Sequence, residues 1–208
     1  DSREIFDESA ALIIEALETG VFEADTKWYQ VPRTEIRPRP LKSFKDRTVM
    51  VSMSPSSVDV AARYGLQTLR FSQGDWRNAI PEIEQYKATF LETQGREAPP
   101  FIISDFVLCF DDKTRVTDYC DRYFSKMFAT VANHYEFMSD HFKALPSYAT
   151  YAYMGDAAKA AGGPDKAYRD YVSGNMIGCP EQLVEHHLER KSMVGDYSIL
   201  ANFSFGGL

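Results

Sequence analysis

The sequence predicts an α/β fold assembled from parallel β-α-β units, and three observations carry that reading. Short apolar runs rich in β-branched and aromatic residues alternate with longer segments whose apolar residues recur at helical spacing. Glycine or proline stands at most of the changes between them. The order strand, helix, strand, helix then calls for parallel neighbours joined by right-handed crossovers. Such units build either an open doubly wound sheet or part of a barrel, and periodicity alone leaves both open.

The first element is an amphipathic helix from Asp1 to about Glu18. Ile5, Phe6, Leu12, Ile13, Ala16 and Leu17 form its apolar stripe, Asp1 and Glu4 resemble a capping box, and Gly20 suits the C-terminal cap. Residues 21–46 hold Pro32, Pro38 and Pro40, which fix φ and remove donors, so this stretch is expected to be a surface loop. A buried strand follows over Thr48–Met53, broken by Ser54-Pro55-Ser56-Ser57, and a short helix over Val58–Tyr64 ends at Gly65. Leu66–Ser72 reads as the second strand, Asp75–Thr93 as a helix closed by Gly95, and Phe101–Phe110 as the third strand. A long helical region covers about Lys113–Phe142, followed by a mixed stretch over 146–176 with Gly162-Gly163-Pro164 as a breaker. Pro180 opens a helix reaching about Val194, and Tyr197–Phe203 is the fourth strand.

The composition narrows the function classes. Hydrophobic residues make up 44% and charged residues 25% of the 208, as expected for a globular chain with a substantial core. With 23 basic and 30 acidic residues the formal net charge is −7. That charge gives no electrostatic reason to bind nucleic acid or an anionic membrane. Cys109, Cys120 and Cys179 are odd in number and widely spaced, which suggests neither a disulfide framework nor a metal knuckle and fits a reducing cytoplasm. No run of about 18 apolar residues suggests a membrane span. The opening Asp1-Ser2-Arg3-Glu4 is neither a signal peptide nor an initiator methionine and reads as a start within a protein.

The most informative stretch runs from Val51 to Gly65, where a strand ends in a serine-rich turn that opens directly into a helix. The first helical turn offers free N–H groups and the positive end of its dipole, and the hydroxyls add donors, so the segment can cradle a phosphate. An ordinary N-cap with surplus serines accounts for the same residues, since serine caps are common.

This segment, with its Ala61-Ala62 pair and Gly65, resembles the serine turn at the fifth strand of bacterial luciferase-like flavin-dependent monooxygenases. Three further stretches resemble that family in order and spacing: Glu8–Tyr29 with Ala16-Leu17-Glu18-Thr19-Gly20 and Phe22, Ile36-Arg37-Pro38-Arg39-Pro40, and Gly178-Cys179-Pro180-Glu181-Gln182-Leu183. In the last of these Cys179 stands where threonine is usual. The ending Asn202-Phe203-Ser204-Phe205-Gly206-Gly207 resembles the family's eighth-strand terminus. The resemblance implies a (β/α)8 TIM-barrel type of which this chain holds about the last four strands, as one partial domain over residues 1–208 with a helical insertion at about 113–176. It also implies that Ser54 and Ser57 hold the flavin phosphate. Val51 and Ser52 match strand residues whose backbone lies near the isoalloxazine ring, and Ser72 matches a position facing the active-site cavity. Met53 takes a place where some luciferases carry glutamate. The family's active-site histidine, non-proline cis peptide and phosphate-clamping arginine belong to its first four strands, so no catalytic residue is assigned in this chain.

Other candidates are weaker. His134 and His141 lie seven apart and His186-His187 are adjacent, a spacing unlike zinc sites, so surface or partly buried imidazoles are expected and no metal. Glu181, Glu185 and His186 read as a solvated face, and Cys109-Phe110-Asp111-Asp112 as a strand end and helix cap. Tyr123, Phe124, Phe128, Tyr135 and Phe137 read as core, although in a barrel with apolar substrates some of them can line a pocket. The activity implied by the resemblance is an FMN-dependent two-component monooxygenase, fed reduced flavin by a reductase, acting on a small organic substrate and forming a homo-oligomer. A deazaflavin-dependent oxidoreductase and a non-catalytic flavin-binding or assembly protein are the alternatives.

Overall fold

A computed structural model describes residues 2–136, 139–145, 149–160 and 162–204. Asp1, Phe137 and the Phe205-Gly206-Gly207 ending, each named in the sequence reading, lie outside the described residues. Helix α1 (Ser2–Thr19) leads into Gly20, whose φ of 75° is the left-handed conformation that glycine adopts without strain.

The expected loop over 21–46 is corrected in part. β1 (Val21–Asp25) and β2 (Gln30–Glu35) form an antiparallel hairpin, closed by a bond from the Thr26 N–H to the Tyr29 carbonyl at 2.8 Å. Pro32 is tolerated because a two-stranded ribbon leaves one edge of β2 unpaired.

The main sheet holds β3 (Val49–Val51), β4 (Gln67–Phe71), β5 (Phe101–Cys109), β6 (Met176–Gly178) and β7 (Tyr197–Asn202). All its pairings are parallel: β3 with β4, β4 with β5, and β5 with both β7 along Phe101–Phe106 and β6 along Val107–Cys109. The four strands read from sequence are therefore parallel neighbours in the expected order. β6 is an addition, too short to show a period. Among the described residues the sheet does not close into a barrel.

Helices α2 (Pro55–Arg63), α3 (Ile80–Gln94) and α8 (Pro180–Val194) supply the crossovers. A short 3₁₀ turn at Trp76–Ala79 precedes α3. Between β5 and β6 the chain makes a helical excursion rather than one long helix. α4 (Lys113–Tyr119) passes through a π-turn at Cys120–Phe124 into α5 (Ser125–His134), and α6 (Ala149–Ala160) and α7 (Gly163–Gly174) bring it back.

The two faces of the sheet differ sharply. Because side chains alternate along a strand, Phe101 and Ile103 point to the helical layer. There they join Val58, Ala61, Ile83, Tyr86, Phe90 and Val194 in the main core. The register places Val51, Leu69 and Ile102 together on the opposite face, with Phe71, Ser104 and Leu200 one step further along. On that face Val49, Val51, Phe71 and Leu200 are 43%, 51%, 45% and 52% exposed. A bare strip of this kind on a parallel sheet is the surface a barrel would enclose.

Candidate functional site

β3 ends at Val51 and delivers its chain to a helix start. Ser54 takes the extended N-cap conformation, φ −151° and ψ 156°, and Pro55 fits the first helical turn because no N–H is needed there. The serines form a closed capping box. Ser54 Oγ accepts from the Ser57 N–H at 3.4 Å, while Ser57 Oγ accepts from the N–H groups of Ser54 at 3.0 Å and Met53 at 3.1 Å. Ser57 Oγ donates to the Ser54 carbonyl at 2.8 Å. Ser54 Oγ also lies 3.2 Å from Ser56 Oγ and 3.1 Å from Ser57 Oγ.

Three hydroxyls therefore meet at one half-buried point at the carboxyl end of β3, beside the bare face. The first turn of α2 carries no acidic residue to repel an anion, and Asp59, the nearest acid in the helix, pairs with Arg63 at 2.8 Å. Hydroxyls rotate freely, so contacts among them can be exchanged for phosphate oxygens without moving the backbone. The donor set fits a phosphate monoester such as the tail of a flavin mononucleotide.

The other sequence-chosen residues are placed differently. Val51 projects from the bare face, half exposed. Ser52 is sealed at 0% exposure on the helical side, its N–H donating to the Leu69 carbonyl at 2.9 Å. Ser72 is corrected: its hydroxyl donates to Asp105 at 2.5 Å, and at 1% exposure it faces α8, not the open side of the sheet. The alternation of β4 explains this, since Phe71 takes the open face and its successor must turn the other way.

Around Ser72 lies a polar cluster that the sequence reading passed over. Asp105 on β5 and Arg190 on α8, both 0% exposed, form a two-pronged ion pair at 2.6 and 3.0 Å. Arg190 also donates to the Gly174 carbonyl at 2.8 Å and stacks over Trp76 at 4.8 Å, while its Nε has no hydrogen-bond partner. Asn175 donates to the carbonyls of Ser72 and Tyr171 and accepts the Phe106 N–H at 2.8 Å. A Cβ on Gly174 would meet Gly74 N at 2.6 Å, so α7 and the loop after β4 cross in backbone contact. The signal in sequence was an aspartate inside the apolar run Phe101–Cys109, whereas Arg190 stands in the charged run Glu189-Arg190-Lys191 and carries no local mark of facing inward.

At the solvent edge of this cluster His186 Nε2 lies 3.3 Å from Arg190, in a polar cleft of about 770 Å³ that also includes Asp75, Arg77, Lys166, Asp170 and Glu189. Burial, then the Arg190 charge, pushes the His186 pKa below its ordinary value. His186 is thus half-buried and engaged rather than part of a solvated face, whereas Glu181 and Glu185 are exposed as expected. His134 and His141 are at the surface. Burial raises the Cys120 thiol to about 11, which leaves it unreactive. Among the described residues no group of histidine, cysteine and acidic side chains is arranged for a metal, and no helix is long and apolar enough to cross a membrane.

Comparison with known proteins agrees with this architecture. No curated protein sequence matches the chain. Among solved structures, a monooxygenase from Streptomyces bottropensis superposes with a TM-score of 0.69 at 14% identity, covering 100% of this chain and 56% of its own. The oxygenating constituent of 3,6-diketocamphane monooxygenase from Pseudomonas putida, solved with FMN, gives 0.60 at 14% identity, covering 99% of this chain and 57% of its own. The coenzyme F420-dependent tetrahydromethanopterin reductase of Methanopyrus kandleri gives 0.58 at 12% identity, covering 96% of this chain and 56% of its own. The chain thus spans a little over half the length of these structures, and at such identities the likeness concerns the fold. The family model for luciferase-like monooxygenases matches residues 1–197, and this chain belongs to that family.

Proposed function

We propose that this chain forms the flavin-phosphate half of an FMN-dependent, two-component monooxygenase acting on a small organic substrate. The observation that carries the reading is the cluster of Ser54, Ser56 and Ser57 hydroxyls at the carboxyl end of β3, beside a bare sheet face. Barrel enzymes assemble their sites at the carboxyl ends of the strands. Reduced flavin supplies the activation of dioxygen, and the protein's share is binding, orientation and exclusion of water.

In this reading Ser54 and Ser57 turn their hydroxyls to the phosphate, and the α2 dipole favours its negative charge. Val51 and the backbone of Val51-Ser52 lie along the ring, with Phe71 and Leu200 adding apolar surface that keeps water away. Ser72 has no part in it, because its hydroxyl is committed to Asp105. The chain acts as one domain, in a cytoplasmic protein that receives reduced flavin from a reductase and associates as a homo-oligomer.

The test is a fluorescence titration of the full-length protein with FMN and with riboflavin, which lacks the phosphate. Charge-assisted hydrogen bonds contribute about 1.5–3 kcal/mol each, so FMN should bind at least about tenfold tighter. Equal affinities would remove the phosphate site. A parallel titration with a deazaflavin decides the second reading, which the structural likeness to an F420-dependent reductase favours. Tighter deazaflavin binding would reassign the activity to hydride transfer, and binding of neither cofactor would favour a non-catalytic assembly role.

A further inference from the structure

The helical excursion after β5 carries two aromatic rows with different fates. One is core: Phe124 is fully buried, 5.5 Å from Phe106 and stacked 5.6 Å from Tyr171, with Phe128 beside Tyr171 at 5.1 Å. The other is half-exposed. Phe110, the first residue after β5, meets Tyr119 at 4.9 Å, and Tyr119 meets Tyr123 at 5.1 Å. The π-turn at Cys120–Phe124 holds Tyr123 of the half-exposed row and Phe124 of the core row, and such turns are frequent at functional sites.

Two further observations point to a ligand. The hydroxyls of Tyr119 and Tyr123 make no hydrogen bond among the described residues and neither is sealed from solvent, so both are open to the polar edge of a ligand. Arg115 lies over the Phe110 ring at 4.2 Å and pairs with no carboxylate among the described residues. The acids around it are otherwise placed: Asp112 caps α4 through the Thr114 N–H at 2.7 Å, Asp118 pairs with Arg122 at 2.8 Å, and Asp111 and Asp121 are exposed.

We propose that Phe110, Tyr119 and Tyr123 form the wall that receives the organic substrate, and that Arg115 selects a planar aromatic compound bearing a carboxylate or phenolate. Aromatic side chains offer face and edge contacts to a planar ring, and the guanidinium adds a charge contact at its rim. The inference rests on the carboxyl ends of the strands being the active side, as in the proposed function. The row starts at the end of β5, two strands along the sheet from the serine turn.

The test is equilibrium binding of 2-naphthoate, naphthalene and decanoate to the full-length protein without flavin, read by ligand fluorescence or saturation-transfer NMR. Naphthoate should bind at least about tenfold tighter than either comparator. Arg115→Gln should remove most of that preference over naphthalene, and Tyr123→Ala should weaken both aromatic ligands by about fivefold or more. Both residues are on the excursion surface, and an unchanged far-UV spectrum and FMN titration confirm the fold. Equal binding of decanoate, or a naphthoate affinity unaffected by both substitutions, would overturn the proposal. Because the FMN titration is a separate reading, loss of the aromatic site leaves the flavin assignment standing, and the reverse also holds.

Discussion

The serine turn after β3 and the Asp105–Arg190 pair beneath β5 belong to the same sheet, but the first is built of neutral hydroxyls in reach of solvent and the second of full charges with none. The hydroxyls at Ser54, Ser56 and Ser57 bond mainly to one another and to local backbone, contacts that a ligand can replace at little cost. The ion pair at 2.6 Å is tied to β4, α7 and α8 and has no room for exchange. Residues that can trade partners suit binding, whereas residues that cannot specify how elements meet.

That contrast is tested most severely at Arg190. Arg190→Met should strand the Asp105 carboxylate in the interior and cost about 3–5 kcal/mol, measured by urea unfolding. Adding Asp105→Leu should recover most of the loss, because a buried pair replaced by apolar groups of similar volume is close to neutral. A single variant that unfolds at the wild-type midpoint would mean that the pair holds nothing together.

A smaller effect is expected at Gly174. An added methyl would sit 2.6 Å from Gly74 N, and backbone is not easily displaced. Gly174→Ala should cost about 1–3 kcal/mol in thermal unfolding. An unaffected melting temperature would show that α7 and the loop after β4 can part without penalty.

The smallest effect concerns pH. His186 has a folded-state pKa below its ordinary value through burial and the Arg190 charge. As pH falls below about 6.5 the unfolded chain takes up a proton that the folded one resists, so stability should decline there; above that pH the group contributes no slope. His186→Gln should flatten this part of the stability–pH curve, and an equally steep curve in the variant would assign the slope to other groups.

What could be read in advance followed the strength of local signals. α8 was legible because Pro180 opens it and Gly195 follows Val194, and the serine turn because a strand, a cap and a helix adjoin within a few residues. The hairpin over Val21–Glu35 was not, since Pro32 argues against a strand unless the free edge is known. β6 has only Met176–Gly178 and is a strand through its pairing with β5. The Asp105–Arg190 pair is separated by 85 residues, and nothing local tells an inward arginine from a solvated one. The placing of Ser72 rested on the resemblance alone; with Phe71 on the open face its successor turns to the helical side, where its hydroxyl meets Asp105.

The central claim, that the serine turn holds the flavin phosphate, is tested most directly by titrating FMN into the protein and its Ser54→Ala/Ser57→Ala variant. Far-UV circular dichroism serves as the folding control, since lost N-cap bonds cost about 0.5–2 kcal/mol and backbone amides still start the helix. With two hydroxyl contacts to a charged group removed, FMN affinity should fall by at least about tenfold. Riboflavin affinity should stay as it was. Two folded proteins with the same FMN affinity would contradict the account and leave Ser54 and Ser57 as helix caps.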